Sequence, residues 1–428
     1  MYSPVAKNEE KYCLNNPGVE SSFGSTKLAS AARGALTLAA LSAQLLIIPA
    51  LARAQTETVL YSFCARSGCT DGSNPRAGLV LDTNGNLYGT TDVGGANSLG
   101  TVFEVSPSGT ETVLYSFCTQ SGCTDGYHPL AALVLDTKGN LYGTTFDGGA
   151  HDGGTVFEVS PSGTETVLYS FCSQPGCRDG YYPHADLVRD TKGNLYGTTQ
   201  FRGAHGGGTV FEVSPSGTET VLYNFCAQSG CTDGYHPRAG LVLDTSGNLY
   251  GTTYDGGANG EGAVFKVSPT GAEIVLHSFC AQSGCTDGSH PRADLILDTS
   301  GNLYGTTYDG GANGKGTVFE VSPSGIETVL NSFCPQSGCR DGSHPVAGLV
   351  LDATGNLYGT TYFGGKGRGT VFKVSPSGTE SVLHSFTANG VDGYYPAAGL
   401  ILDATGIIYG TTLSGGAHGG GTVFQVVP

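Results

Sequence analysis

The stretch ETVLYSFCTQSGCTDGYHPLAALVLDTKGNLYGTTFDGGAHDGGTVFEVSPSG, residues 111–163, decides the fold, because it is one copy of a repeat that fills most of the chain. It contains four short runs rich in Val, Leu, Tyr, Phe and Thr, at residues 112–117, 133–136, 140–145 and 155–159. Such runs are typical of β-strands. The sequences D-T-K-G-N and S-P-S-G, which follow the second and fourth runs, favour tight turns. Each copy therefore predicts four antiparallel strands, the content of one β-propeller blade.

The repeat region does not start at the beginning of a unit: its first strand is the last strand of a repeat. We label the run LVLD strand A, LYGTT strand B, TVFEV strand C and ETVLYSF strand D. The chain then opens with a D strand at residues 57–63, continues through six complete units, and ends with A, B and C strands. We predict an all-β, seven-bladed β-propeller with four antiparallel strands per blade, closed by the N-terminal D strand joining the C-terminal A-B-C strands. A solenoid would need capping units, and neither end resembles one.

The segment before the repeats, residues 1–54, differs from them in composition. Lys27 and Arg33 precede an uncharged stretch at residues 34–52, and Ala52-Arg53-Ala54 offers the small residues of a cleavage site. We predict a signal peptide at residues 1–54 and a single propeller at residues 55–428, secreted to an extracellular or periplasmic location. An uncleaved signal anchor is the alternative.

The charge of the chain excludes some partners. The formal net charge is −16, and the segment 1–54 carries five Lys or Arg and three Glu, a net of +2, so the remainder carries −18. A surface this acidic repels phosphate backbones and anionic membranes. We expect a monomer with no nucleic-acid partner and no membrane partner after signal cleavage.

Twelve of the thirteen cysteines form six pairs with four residues between partners. In an exported chain, even pairs at fixed spacing predict disulfides, whereas structural zinc sites favour shorter gaps and need further ligands. The predicted pairs are Cys64 with Cys69, Cys118 with Cys123, Cys172 with Cys177, Cys226 with Cys231, Cys280 with Cys285, and Cys334 with Cys339.

Antiparallel order places the D-to-A and B-to-C loops on one face, which we call the long-loop face. Recurring aromatic and imidazole residues on it are of types that stack on sugars and bind their hydroxyls. The alternative is that each packs on the proline beside it. The sequence predicts a non-catalytic propeller that binds an extracellular glycan or protein through Tyr127, His128, Tyr182, Tyr235, His236, His290, Asp294, His344 and Tyr395.

An enzyme is the other hypothesis, because the third unit departs most from the repeat. His184, Asp186 and Arg202 are candidate acid-base residues there, and Asp294 occupies the position of Asp186 in the fifth unit. With one blade between them, the two carboxylates are not expected to touch. The activity would be that of a polysaccharide lyase or hydrolase, or of a streptogramin-lyase-like enzyme. The chain lacks G-x-S-x-G and H-E-x-x-H motifs.

An Asp precedes Gly at the same place in every unit, from Asp71 to Asp392. One carboxylate per unit, without D-x-D-x-D spacing, favours an Asx turn over a Ca²⁺ or Mg²⁺ site. We therefore assign no metal and no cofactor from the sequence, with Ca²⁺ or Mg²⁺ as the alternative.

The phrases LYGTT, GG, GTVF and SPSG, spaced as in residues 141–163, resemble the GloVer-type (Gloeo/Verruco) tandem repeat of exported bacterial proteins. The resemblance covers nearly all of residues 57–427. It implies an exported, propeller-like protein, and it carries over no established activity or catalytic residue.

Overall fold

The strand and turn pattern of the repeat folds into seven antiparallel sheets, each with the strand order A-B-C-D. The structure, a computed structural model, describes residues 56–428. The predicted signal peptide, residues 1–54, lies outside the described residues. No helix of residues 56–428 has the length and apolar character needed to span a bilayer.

Blades 1 to 7 follow one another along the chain. The A strands are Val80–Leu81, Val134–Leu135, Val188–Arg189, Val242–Leu243, Ile296–Leu297, Val350–Leu351 and Ile401–Leu402. The B strands are Leu87–Thr91, Leu141–Thr145, Leu195–Phe201, Leu249–Asp255, Leu303–Asp309, Leu357–Thr361 and Ile408–Thr412. The C strands are Thr101–Val105, Thr155–Val159, Thr209–Val213, Ala263–Val267, Thr317–Val321, Thr370–Val374 and Thr422–Val427. The D strands are Glu111–Ser116, Glu165–Ser170, Glu219–Asn224, Glu273–Ser278, Glu327–Ser332, Glu380–Ser385 and, for blade 7, Thr56–Ser62.

The predicted closure of the ring is confirmed. Thr56–Ser62 pairs antiparallel with Thr422–Val427, from Thr56 opposite Val427 to Ser62 opposite Thr422. Phe63 then contacts Phe103 of blade 1 with their rings 4.9 Å apart. The first strand therefore completes blade 7 and leaves strand C of that blade without an unpaired edge. The same edge-on contact between two Phe rings joins every other pair of neighbouring blades. Its other members are Phe117 with Phe157, Phe171 with Phe211, Phe225 with Phe265, Phe279 with Phe319, Phe333 with Phe372, and Phe386 with Phe424.

The LYGTT strand explains how neighbouring blades hold together. Gly89 lies under the ring of Phe103, which would come within 2.7 Å of a Cβ at this position. Thr90 donates to the carbonyl of Ala131 in the next blade, and the Thr91 hydroxyl bonds that of Thr101 in strand C. The Gly and both Thr residues of the motif therefore have a packing or hydrogen-bonding reason to recur.

The innermost strand is shorter than predicted and divided in two. In blade 3, Tyr181–Pro183 pairs with the end of strand B and Val188–Arg189 with its beginning, so that four residues between them face only two of strand B. This bulge takes residues 184–187 out of the ladder, and His184, Ala185 and Asp186 line the channel. Blades 4 and 5 repeat the arrangement with Tyr235–Pro237 and Ser289–Pro291.

Further short elements lie on the long-loop face. They are the strands Gly393–Tyr394 and Ser414–Gly415 and the 3₁₀ turns Ser67–Cys69, Ser121–Cys123 and Ser229–Cys231.

All six predicted disulfides are present, each within one D-to-A loop. Six disulfides indicate an oxidising compartment outside the cytoplasm. The Asp before Gly supports the same loop, but not by the predicted Asx turn. Asp71 accepts hydrogen bonds from the earlier Ala65 and Arg66 amides and from the Tyr61 hydroxyl, so it fastens the loop to strand D.

Candidate functional site

A pocket of about 350 Å³ opens on the long-loop face at the mouth of the central channel. Its wall takes one residue per blade from the first position of the inner bulge, and these residues include Arg76, His184, Arg238 and Arg292. Tyr308, near the end of strand B of blade 5, and Tyr362, directly after strand B of blade 6, complete the wall. The bulge supplies the arginines and the histidine of this pocket, and the ends of two B strands supply its tyrosines.

Two arginines dominate this pocket. The guanidinium of Arg292 lies 4.1 Å from the ring centre of Tyr308. The ring centre of Tyr254 lies 4.3 Å from the guanidinium of Arg238 and 4.8 Å from that of Arg292. Burial, and next the charge of Arg292, lower the pKa of Arg238 from its ordinary value. Within residues 56–428, neither guanidinium has a carboxylate within 4.0 Å. Neither arginine therefore has a direct ion-pair partner in this part of the chain, although the charge of Asp255 acts on Arg238 from farther away.

Arg76 differs, because Asp92 already compensates it. Its Nε lies 3.0 Å from Asp92, whose other oxygen lies 2.8 Å from Nδ1 of His128. The positive charge of the pocket is therefore concentrated on the side of blades 4 and 5.

His184 lies in the same wall. Burial, and then the positive charge of Arg238, lower its pKa to about 4. At neutral pH the imidazole is uncharged, so it can donate and accept hydrogen bonds in the pocket.

The carboxyl groups of Asp186 and Asp294 meet in the channel below the arginines, so the expectation that they do not touch was wrong. The blade between them contributes Gly240, and a Cβ there would lie 3.0 Å from Oδ1 of Asp294 and 3.1 Å from Cβ of Asp186. Asp186 accepts from the amide of Ala132, and Asp294 accepts from the amide of Gly240. Enclosure in the channel raises the pKa of both, and the charge of Asp294 raises that of Asp186 further, which favours one shared proton.

Arg202 lies apart from the pocket. It is exposed and lines a shallow cleft of about 330 Å³ with Tyr181, Tyr182 and Phe201. Of the sequence candidates for catalysis, the structure brings His184 and Asp186 together with Asp294, and it places Arg202 elsewhere.

Most of the recurring His and Tyr residues contact the preceding blade instead of only their own proline. Tyr182 stacks on Phe146 at 4.3 Å, and Tyr395 stacks on Tyr362 at 4.9 Å. In the corresponding contact of His128, the residue of the preceding blade is Asp92, to which the imidazole is hydrogen-bonded. The remaining contacts of this kind are those of His236 with Phe201, His290 with Tyr254, and His344 with Tyr308.

The backbone at these positions is also constrained. His128, Tyr182, His236, His290, His344 and Tyr395 have φ between 54° and 60°. In each, the backbone amide donates to a B-to-C loop carbonyl of the preceding blade. A left-handed conformation is uncommon for such residues and persists where the surroundings fix it. These six residues therefore join neighbouring blades, with only part of each ring facing the solvent.

Tyr127 and Tyr235 lie one residue earlier in the chain, directly before His128 and His236. The hydroxyl of Tyr127 donates to Asp152 at 3.3 Å. Tyr235 lies against His236 with ring centres 3.7 Å apart.

Sequence reasoning missed Arg76, Arg238, Arg292, Tyr308 and Tyr362. A signal exists for the three arginines, because the residue after each loop proline varies through Arg, Leu, His, Arg, Arg, Val and Ala, while its neighbours hardly change. In a repeat, the positions that vary on one face are the ones that give that face its specificity.

Comparison with known families supports the repeat assignment. The family model described as the Gloeobacter/Verrucomicrobia repeat matches residues 50–242, 176–339 and 227–424. No curated protein matches the chain.

Solved structures resemble the chain at low sequence identity. The extracellular domain of a candidate one-component system from B. thetaiotaomicron is 10% identical with a TM-score of 0.50, and the match covers 87% of this chain and 40% of that one. A candidate 6-phosphogluconolactonase from Bacteroides uniformis is 16% identical over 73% of this chain and 84% of that one, with a TM-score of 0.45. A puromycin hydrolase mutant is 15% identical over 79% of this chain and 50% of that one, with a TM-score of 0.47. At these identities the likeness concerns the fold alone.

Proposed function

The chain belongs to the Gloeobacter/Verrucomicrobia repeat family, and we propose that it is a secreted, non-catalytic propeller that binds an acidic extracellular glycan in the pocket of its long-loop face. The observation that carries this proposal is the pair Arg238 and Arg292, two neighbouring cations with no carboxylate within 4.0 Å in the described part of the chain. A carboxylate or sulfate group on a sugar would supply the missing negative charge.

The surroundings of the two arginines support a sugar as the carrier of that charge. Tyr308 and Tyr362 line the same pocket and offer aromatic surface and hydroxyl groups that a pyranose can contact. The neutral imidazole of His184 can bind a hydroxyl. The strongly negative net charge of the chain makes a positive pocket a local exception, and such a pocket draws in anions from a negative surface.

A glycan array followed by calorimetry with acidic and neutral oligosaccharides of matched length tests this proposal. We expect binding of uronate-bearing or sulfated oligosaccharides, weakening as salt increases. Arg292→Gln should weaken it by about tenfold or more, since a hydrogen bond to a charged group contributes roughly 1.5–3 kcal/mol. Arg340→Gln, the same change at an exposed site in a disulfide loop, serves as the control and should bind like the wild type. Equal affinity for neutral sugars, or no effect of Arg292→Gln, would contradict the proposal.

An enzyme acting on such a polysaccharide is the second candidate, and the contact between Asp186 and Asp294 below the pocket favours it. A carboxyl pair that holds one proton beneath a bound sugar has the components of acid-base catalysis. The reaction would be a hydrolysis or an elimination in the acidic polysaccharide.

Turnover assays on soluble acidic polysaccharides, with and without EDTA, separate the two candidates. Turnover that His184→Ala or Asp186→Asn abolishes would establish the enzyme and overturn the non-catalytic proposal. Binding without turnover, unchanged in Asp186→Asn, would support the proposal.

A further inference from the structure

The seam between the first and last strands carries a cluster that the proposed function does not use. Glu57 lies in the terminal strand Thr56–Ser62, His384 in strand D of blade 6, and Asp392 in the loop from blade 6 to blade 7. One ligand atom from each lies within 4.8 Å of the others. Within residues 56–428, this is the one group of three or more His, Cys, Asp or Glu side chains that meets so closely.

The contacts of Asp392 point one of its oxygens into this cluster. Its Oδ2 accepts from the amide and the hydroxyl of Thr387 and lies 3.4 Å from Nε2 of His384. Its Oδ1 has no hydrogen-bond partner within the described residues, although only 7% of the side chain is exposed. A buried carboxylate oxygen without a partner is costly, and a cation is one way to compensate it.

The opposite side of the cluster repeats the pattern. Oε1 of Glu57 is also buried without a partner in the described part of the chain, a feature that it shares with the Glu at the start of the other D strands, whereas the unpartnered Oδ1 is found only at Asp392 among the Asp residues before Gly. The three side chains thus offer one imidazole nitrogen and two carboxylate oxygens from three separate elements.

We propose that Glu57, His384 and Asp392 form a site for one divalent transition-metal ion of the Zn²⁺ type, which fastens the N-terminal strand to the loop of blade 6. Mixed imidazole and carboxylate ligands suit such an ion better than Ca²⁺, which takes oxygen ligands. The metal would stabilise the fold and would take no part in the pocket.

The loop at this seam gives a reason for such a site. The other six D-to-A loops each contain a disulfide, whereas residues 387–391 read TANGV and contain no cysteine. Here Asn389 accepts hydrogen bonds from the amides of Val391 and Asp392 and takes over part of the loop's support. A bound ion would supply the remaining cross-link at the one junction where the ring must be closed.

Blade 4 provides a natural control. His277 occupies the same place in its D strand as His384, and its Nε2 lies 3.6 Å from Asp287. That loop is closed by the disulfide between Cys280 and Cys285. His277→Asn and His384→Asn are therefore matched substitutions, with and without a role in the proposed site.

The test uses the purified protein, stripped with EDTA, dialysed and titrated with ZnCl₂, with bound metal counted by elemental analysis and Tm followed by calorimetry. We expect one tightly bound equivalent of Zn²⁺ and a higher Tm in the wild type and in His277→Asn. His384→Asn should weaken binding by roughly 100-fold or more, since even loss of an outer-shell partner costs 10–100-fold. Glu57→Gln should remove the Tm increase as well.

Several outcomes would overturn the site. One is that the wild type binds no tight equivalent of Zn²⁺, and a second is that His384→Asn binds as much Zn²⁺ as the wild type does. A third is that His277→Asn loses as much Zn²⁺ affinity as His384→Asn, and a fourth is that Tm increases with Ca²⁺ but not with Zn²⁺. Because His384→Asn leaves the terminal strand untouched, it remains informative if Glu57→Gln fails to fold.

Discussion

The glycine of the LYGTT strand determines how closely strand B packs against the side chains of its neighbouring strands. In blade 7, a Cβ on Gly410 would lie 2.7 Å from both Cδ2 of Leu400 and Cζ of Phe424. Both neighbours are buried in the core, so neither can move without disturbing the next blade. The glycine recurs because the Phe ring needs its space.

Gly410→Ala is therefore expected to lower the free energy of unfolding by about 1–3 kcal/mol, the usual cost of overpacking a core. Gly399→Ala is the matched control, because its nearest neighbour is 3.8 Å away and blade 2 carries Ala132 at the same place. Denaturant unfolding of both variants checks the difference. Equal destabilisation would show that the space above Gly410 is not what matters.

At the scale of elements, sequence reasoning succeeded where turns and strands repeat and failed at the inner bulge and in the central channel. The strands, the closure and the disulfides follow from local patterns that recur in every unit. The bulge that splits strand A was missed, because YYPHADLV reads as a loop running into one strand. The contact of Asp186 with Asp294 depends on Gly240 in a different blade, and no local pattern reports what lies across a channel.

Deletion of the terminal strand Thr56–Ser62 should open the ring, because it exposes strand C of blade 7 and removes a partner of the blade 1 core. We expect Tm to fall much further than in the double variant Cys226→Ala, Cys231→Ala. That variant loses a short cross-link worth ~2 kcal/mol in the chain-entropy model. Calorimetry compares the two, and a smaller effect of the strand deletion would contradict the closure.

Across the whole molecule, a buried carboxyl recurs at the start of the D strands. Burial, and then the charge of an Asp in the preceding loop, raise the pKa to about 7 for Glu165, Glu219, Glu273, Glu327 and Glu380. Both carboxylate oxygens of Glu165 lack a hydrogen-bond partner within residues 56–428. The folded ring therefore holds more protons than the unfolded chain between the ordinary Glu pKa and pH 7.

This difference predicts an unusual pH dependence. Because the folded-state pKa values are raised, stability should fall as the pH rises through about 7, and Tm should be higher at pH 5 than at pH 8. Glu219→Gln removes one of these groups, so it should reduce the slope and raise Tm at pH 8. Calorimetry across this range, with EDTA present, checks both effects. A Tm that increases from pH 5 to pH 8 would show that other groups control the response.

The pairing of the first strand with the last one also imposes an order on folding. Thr411 of blade 7 donates to Ala77 of blade 1, a residue 334 positions earlier in the chain. Contacts this distant in sequence form slowly. During synthesis, the first strand stays unpaired until the final strand has left the ribosome. We therefore expect stalled or truncated chains to offer that vacant edge to a second copy, so that strand exchange between molecules is the characteristic misfolding route of this ring.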